Sequence, residues 1–173
     1  MSLDCKTEKG RRFINAQYET TNILKNIYPS LDFIHSKNDT QEEDCWIYNN
    51  KKLFGVAEVK CRPYINRKNK IPFTLEIIKE KYDNKYLITK TKIDNLQNIS
   101  SRRKIASFVF LCLPFEKKII SFKITNNKGE WIIPVESRKT RTMYSCNDHK
   151  GTIERENAFL QLDSPSVKTV SYW

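Results

Sequence analysis

The chain has 173 residues and carries 31 Lys and Arg against 20 Asp and Glu, a formal net charge of +11. That length suits one domain that buries its own core without disulfide or metal staples, and the charge points to a polyanionic partner, either nucleic acid or an anionic surface. No apolar run approaches the length of a bilayer span and the opening MSLDCKTEKGRRF holds no hydrophobic leader segment, so the expectation is a cytoplasmic protein without a membrane partner.

In chain order, apolar positions at helical spacing (Phe13, Ala16, Ile23, Leu24, Ile27) predict a helix over 7–27, ended by Tyr28-Pro29-Ser30. LDFIHS at 31–36 reads as a short strand, and the polar KNDTQEED after it as a loop. DCWIY at 44–48 and LFGVAEVKC at 53–61 read as the next two strands, joined through the hairpin chemistry of Asn49-Asn50-Lys51-Lys52. A basic loop, RPYINRKNKIP, opens a less regular region in which KYLIT at 85–89 reads as a short edge strand. A second helix is expected over 91–104, with Ile93, Leu96 and Ile99 on one face and Arg102, Arg103 and Lys104 at its C-terminal end. ASFVFLCLP at 106–114 reads as a long buried strand, and IISFKIT with EWIIPV as a hairpin turning at Asn126-Asn127-Lys128-Gly129. From Ser137 on, periodicity fades and an irregular arm is expected. The order is an α/β class with a mixed sheet flanked by helices, an α-β-β-β-α-β core with an added C-terminal hairpin. Residues 1–136 form the core domain, and 137–173 an arm or an extension of the same domain.

The five cysteines (Cys5, Cys45, Cys61, Cys112, Cys146) are odd in number and mostly in apolar runs, which reads as reduced core thiols. Cys146-Asn-Asp-His149 has zinc-like spacing but no second half-site. His35 and His149 read as ordinary polar residues, and Trp46, Trp131 and Trp173 as core or interface aromatics. Four glycines and no Gly-rich phosphate loop leave no expectation of nucleotide triphosphate use.

The strand at 53–61 places an acid and a base two positions apart. Alternation sends Phe54, Val56, Glu58 and Lys60 to one face and Leu53, Gly55, Ala57, Val59 and Cys61 to the other. The plainest reading is a Glu58–Lys60 ion pair. If the hairpin pairs as expected, however, Asp44 at the start of the preceding strand lies near both. Two carboxylates and the Val59 carbonyl make an all-oxygen donor set for a hard cation such as Mg²⁺, with Mn²⁺ as the variant. A lysine beside it serves a water or a phosphate.

Asp44, 14 positions before Glu58-Val59-Lys60 in this element order, resembles the PD-(D/E)XK nuclease superfamily, with Glu43 where proline is frequent. The resemblance covers roughly residues 6–114. It implies a restriction-endonuclease-like fold and metal-dependent hydrolysis of DNA phosphodiesters, with Asp44 and Glu58 as metal ligands and Lys60 as the catalytic lysine. It also implies a carboxylate on the first helix, for which Glu19 is the candidate and Glu8 the alternative. The other reading is a basic nucleic-acid-binding protein of the same fold that does not cut. Arg62, Arg67, Lys68 and Lys70 with Tyr64 among them form a basic and aromatic loop suited to DNA. Lys92, with Lys90 and Gln97, is a candidate on the second helix, and Arg138, Lys139 and Arg141 in the arm. A homodimer is left open.

Overall fold

The computed structural model describes residues 8–36, 43–66, 69–143 and 151–173. Arg67 and Lys68 of the basic loop, and Cys5, Cys146 and His149, lie outside them.

The elements run α1 (Glu8–Ile27), β1 (Leu31–His35), β2 (Cys45–Asn49), β3 (Lys52–Cys61), α2 (Leu75–Lys81), β4 (Lys85–Thr89), α3 (Lys90–Arg103), β5 (Ala106–Leu113), β6 (Lys118–Thr125), β7 (Val135–Met143), β8 (Thr152–Gln161) and β9 (Val167–Ser171). They build an α/β architecture with a mixed six-stranded sheet, in the order β1-β2-β3-β5-β6-β9, and a three-stranded sheet, β4-β8-β7. Among the described residues, no helix is long and apolar enough to cross a membrane.

β1, β2 and β3 form an antiparallel meander. Its second turn works because Asn50 and Lys51 both take positive φ, 48° and 64°, the twist a two-residue hairpin needs. β3 and β5 are parallel, which demands a crossover, and α3 supplies it. One face of the large sheet carries Ala57, Val59, Phe110 and Ile119 under Leu24 of α1. The other carries Val56, Val109, Leu111, Ile120 and Phe122 against Ile93, Leu96 and Ile99 of α3 and Tyr86, Ile88, Ala158 and Leu160 of the small sheet. The helix-spaced apolar residues of α1 and α3 therefore serve opposite faces.

Four expectations are corrected. α2 is an additional helix: its seven residues are too few for a periodic signal, and Thr74 starts it by accepting from the Ile77 N–H at 3.3 Å. EWIIPV forms no strand of its own, and only its Val135 is in one, as the start of β7. Asn126 Oδ1 accepts from Lys128 N and Glu130 N, a single bridge joins Thr125 and Trp131, and Pro134 has no N–H to offer a ladder. The segment expected to be an irregular arm contributes β7, β8 and β9, with β9 closing the large sheet beside β6 and β8 at the centre of the small one. β7 is polar because it is an edge strand whose Ser137, Arg138, Lys139 and Arg141 are all exposed, so no buried face imposes alternation, while the apolar residues of β8 are bunched in its buried second half instead of alternating. Finally, a bulge opposite Ile47 and Tyr48 pairs Tyr48 with Leu53 and Ile47 with Gly55. The extra residue, Phe54, changes face and stacks on Phe108, while Leu53 joins the core around Val56.

Gly55 sits where β3 passes Phe108. A Cβ there meets the ring at 2.9 Å and the Ala106 carbonyl oxygen at 3.1 Å, and the ring is stacked with both Phe54 and Phe110. Gly55→Ala should destabilise the fold by about 1–3 kcal/mol in urea unfolding, and a Phe108→Leu background, which removes the obstructing ring edge, should reduce that penalty.

Candidate active site

β2 begins at Cys45, opposite Ala57, while β3 continues to Cys61. Past that point β3 has no β2 partner, so the Val59 N–H and C=O face an open notch. Asp44 fills it. Its own N–H donates to the Ala57 carbonyl at 3.2 Å, and its Oδ2 accepts from the Val59 N–H at 2.9 Å. Gln17 of α1 reaches the same place, donating to Asp44 Oδ2 and to the Val59 carbonyl, each at 3.2 Å.

Glu58 and Lys60 alternate onto the α3 face. Lys60 Nζ donates to Glu58 Oε1 and lies 3.8 Å from Asp44 Oδ2. Lys92, in the first turn of α3, places its Nζ 3.2 Å from Glu58 Oε2 and 3.9 Å from Asp44 Oδ1. Both carboxylates thus share both ammonium groups, two negative charges against two positive. Glu58 is 0 % exposed, and its Oε2 has no hydrogen-bond partner among the described residues, because the Lys92 contact is close but poorly directed. Burial is the main force raising the Glu58 pKa, with Asp44 adding to it and Lys60 and Lys92 opposing. For Lys60, burial acts downward, but Glu58 and Asp44 outweigh it and hold the ammonium above its ordinary range.

The positions anticipated from sequence divide accordingly. Asp44, Glu58, Val59 and Lys60 converge, and Lys92 joins them as a charge partner inside the notch. Glu19 is exposed, and its charge acts on Cys61, Cys112 and Tyr172 instead. Glu8 is exposed and paired with Arg12. The helix face turned to the sheet carries Gln17, Thr20, Thr21 and Leu24, and Glu19 is about 200° around the helix from Gln17. Gln17 was missed because nothing in an isolated glutamine marks it; only its phase relative to buried Leu24 did. Among the described residues no group of three or more His, Cys, Asp and Glu side chains is poised for a metal. The oxygens that could face a cation are those of the two carboxylates and the Val59 carbonyl, with Glu58 Oε2 facing the Lys92 ammonium without a hydrogen bond.

Arg62 turns inward, its guanidinium 5.9 Å from the centre of the Phe73 ring and 5.6 Å from that of Tyr86, with a buried Nε. Tyr64 and Lys70 are exposed. Gln97 donates to the Gly129 carbonyl at 3.1 Å, and Lys90 pairs with Asp94 at 2.7 Å. His35 contacts Thr21 Oγ1 and packs on Tyr18; burial lowers its pKa. No family model, no curated protein and no solved structure matches this chain.

A raised folded-state pKa means that the folded protein holds the Glu58 proton where the unfolded chain, at about 4.3, has released it. The stability this contributes is complete below that value and is lost as pH rises through the folded one. Measured as Tm against pH, the parent protein should lose stability relative to Glu58→Gln as pH climbs from about 4.

Proposed function

We propose that this chain is a metal-dependent nuclease that hydrolyses DNA phosphodiester bonds on a restriction-endonuclease-like fold of the PD-(D/E)XK kind. The observation that carries the reading is that Asp44 and Glu58 share Lys60, with the Val59 carbonyl tied to Asp44 through Gln17, where β3 outruns β2. The antiparallel meander followed by a helix crossover into a parallel strand supports it.

Asp44 Oδ1, Glu58 Oε2, which now faces only the Lys92 ammonium, and the Val59 carbonyl would hold Mg²⁺ or Mn²⁺. When bound, the cation supplies Lewis-acid polarisation of a phosphoryl oxygen and a more acidic water. Gln17 keeps Asp44 and the Val59 carbonyl in register by donating to both, and a cation held at that carbonyl would take the place of the Gln17 hydrogen bond. Lys60, held close to Glu58, steers the attacking water in line with the phosphorus and offsets charge building on the phosphate. Lys92 adds a second positive charge from the first turn of α3, whose N-terminal dipole end also favours an anion.

The second reading, a basic nucleic-acid-binding module that does not cut, has its own support: Lys60 and Lys92 already balance the two carboxylates, as a closed structural ion cluster would. Chemistry separates the two. Labelled DNA and RNA of several forms, incubated with Mg²⁺ or with EDTA, should be cleaved only with the metal. Asp44→Asn, Glu58→Gln and Lys60→Ala should each slow cleavage by about 10² or more, and Gln17→Ala by about tenfold. Undiminished cleavage in the first three variants overturns the assignment of this site, and binding with no hydrolysis under any condition leaves the binding module.

A further inference from the structure

Immediately past the candidate site, β3 leaves the sheet through Arg62, whose N–H still donates to the Cys112 carbonyl at 3.0 Å. The chain then exposes an aromatic side chain, Tyr64, which is 56 % accessible. The turn after β5 exposes another, Phe115, at 40 %. The two rings touch, with centroids 5.1 Å apart and planes at 69°. A contact of this kind leaves ring faces uncovered. Ile65 and Ile71 of the same loop are also exposed, at 42 % and 47 %, and exposed Lys70 lies beside them in sequence.

This apolar cluster is fixed in place. Phe73 N donates to the Tyr64 carbonyl, Asn66 N to the Ile71 carbonyl, and Ile65 bridges Pro72. The Phe115 turn closes with Lys117 N donating to the Pro114 carbonyl at 3.2 Å. Glu116, next to Phe115, accepts from the first N–H of α2, Leu75, at 2.5 Å and pairs with Lys118 at 2.8 Å, which ties the two ring-bearing segments together. In the same loop, the Arg62 guanidinium lies over Phe73 and Tyr86. Large aromatic surface held rigid in water costs stability unless something covers it. Tyr64 is four residues beyond Lys60, within roughly 13 Å along an extended chain.

We propose that Tyr64 and Phe115 form a stacking platform for an unpaired nucleobase, so that the nucleic acid engaged at the Asp44–Glu58–Lys60 site has at least one unstacked nucleotide beside the scissile phosphate. This rests on the nuclease reading for the chemistry but not for the binding. A base inside a duplex is covered on both faces, whereas one in a single strand, flap or junction offers a π-face to any aromatic ring. Lys70 supplies the phosphate contact next to it.

The test uses the full chain in EDTA, with a single-stranded oligonucleotide carrying 2-aminopurine and its blunt duplex as probes. The parent protein should bind the single strand more tightly than the duplex and quench the fluorophore. The double variant Tyr64→Ala/Phe115→Ala should weaken single-strand binding about 10- to 100-fold at every salt concentration without changing the salt slope, and leave duplex binding unchanged. Tyr64→Phe should retain both affinity and quenching, which separates loss of stacking from loss of fold. Lys70→Ala should instead flatten the single-strand salt slope by about 0.7. Equal binding of the two probes, absence of quenching, or parental single-strand affinity in the double variant overturns the platform even if Mg²⁺-dependent cleavage stands. The expected binding pattern, with no cleavage once Mg²⁺ replaces EDTA, sinks the nuclease reading and leaves the platform standing.

Discussion

A carboxylate with no solvent exposure, on a strand flanked by two others, is the constraint around which this end of the molecule is arranged. Glu58 pairs in register with Val109 of parallel β5 and is shut from water. Left alone, an ionised carboxylate there costs several kcal/mol. The fold offsets that cost from two directions: Lys60 comes from the same strand, and Lys92 from the start of the helix that carries the chain from β3 to β5. The crossover that makes β3 and β5 parallel is therefore also what delivers the second cation.

The opposite end of the same sheet handles buried polarity differently. Ser107 near the start of β5, Thr125 at the end of β6 and Ser100 of α3 are all inaccessible, and their hydroxyls bond one another at 2.7 Å. That cluster is closed, with Ser100 also donating to the carbonyls of Ile105 and Asn126. At the Glu58 end, by contrast, an oxygen is left without a hydrogen bond and the Val59 carbonyl is held by a side chain that can move away. The hydroxyl cluster satisfies its own members inside the core, whereas the charge cluster leaves one buried carboxylate oxygen with an ion-pair contact but no hydrogen bond. The lengths of neighbouring strands generate this difference, since only where β3 outlasts β2 is its backbone left for side chains to satisfy.

The amino-acid sequence by itself determined the elements with strong local signals. Helical spacing of apolar residues marked α1 and α3, Asn50 marked the β2–β3 turn, and the apolar run marked β5. It also singled out Asp44, Glu58 and Lys60, because charge inside an apolar strand is legible without coordinates. Tertiary structure decided the rest, for physical reasons. β7 is polar along its length, and β8, whose apolar residues are bunched at Ala158, Phe159 and Leu160, gains its place from β4, a partner distant in sequence, so no alternation announces either strand. The face of Phe54 depended on a bulge set by how β2 and β3 pair. Gln17 rather than Glu19 entered the notch because helix phase is fixed by which side chains the sheet buries, and Arg62, basic in sequence, was drawn inward by two aromatic rings. Phe115 became a neighbour of Tyr64 only because parallel β3 and β5 end side by side.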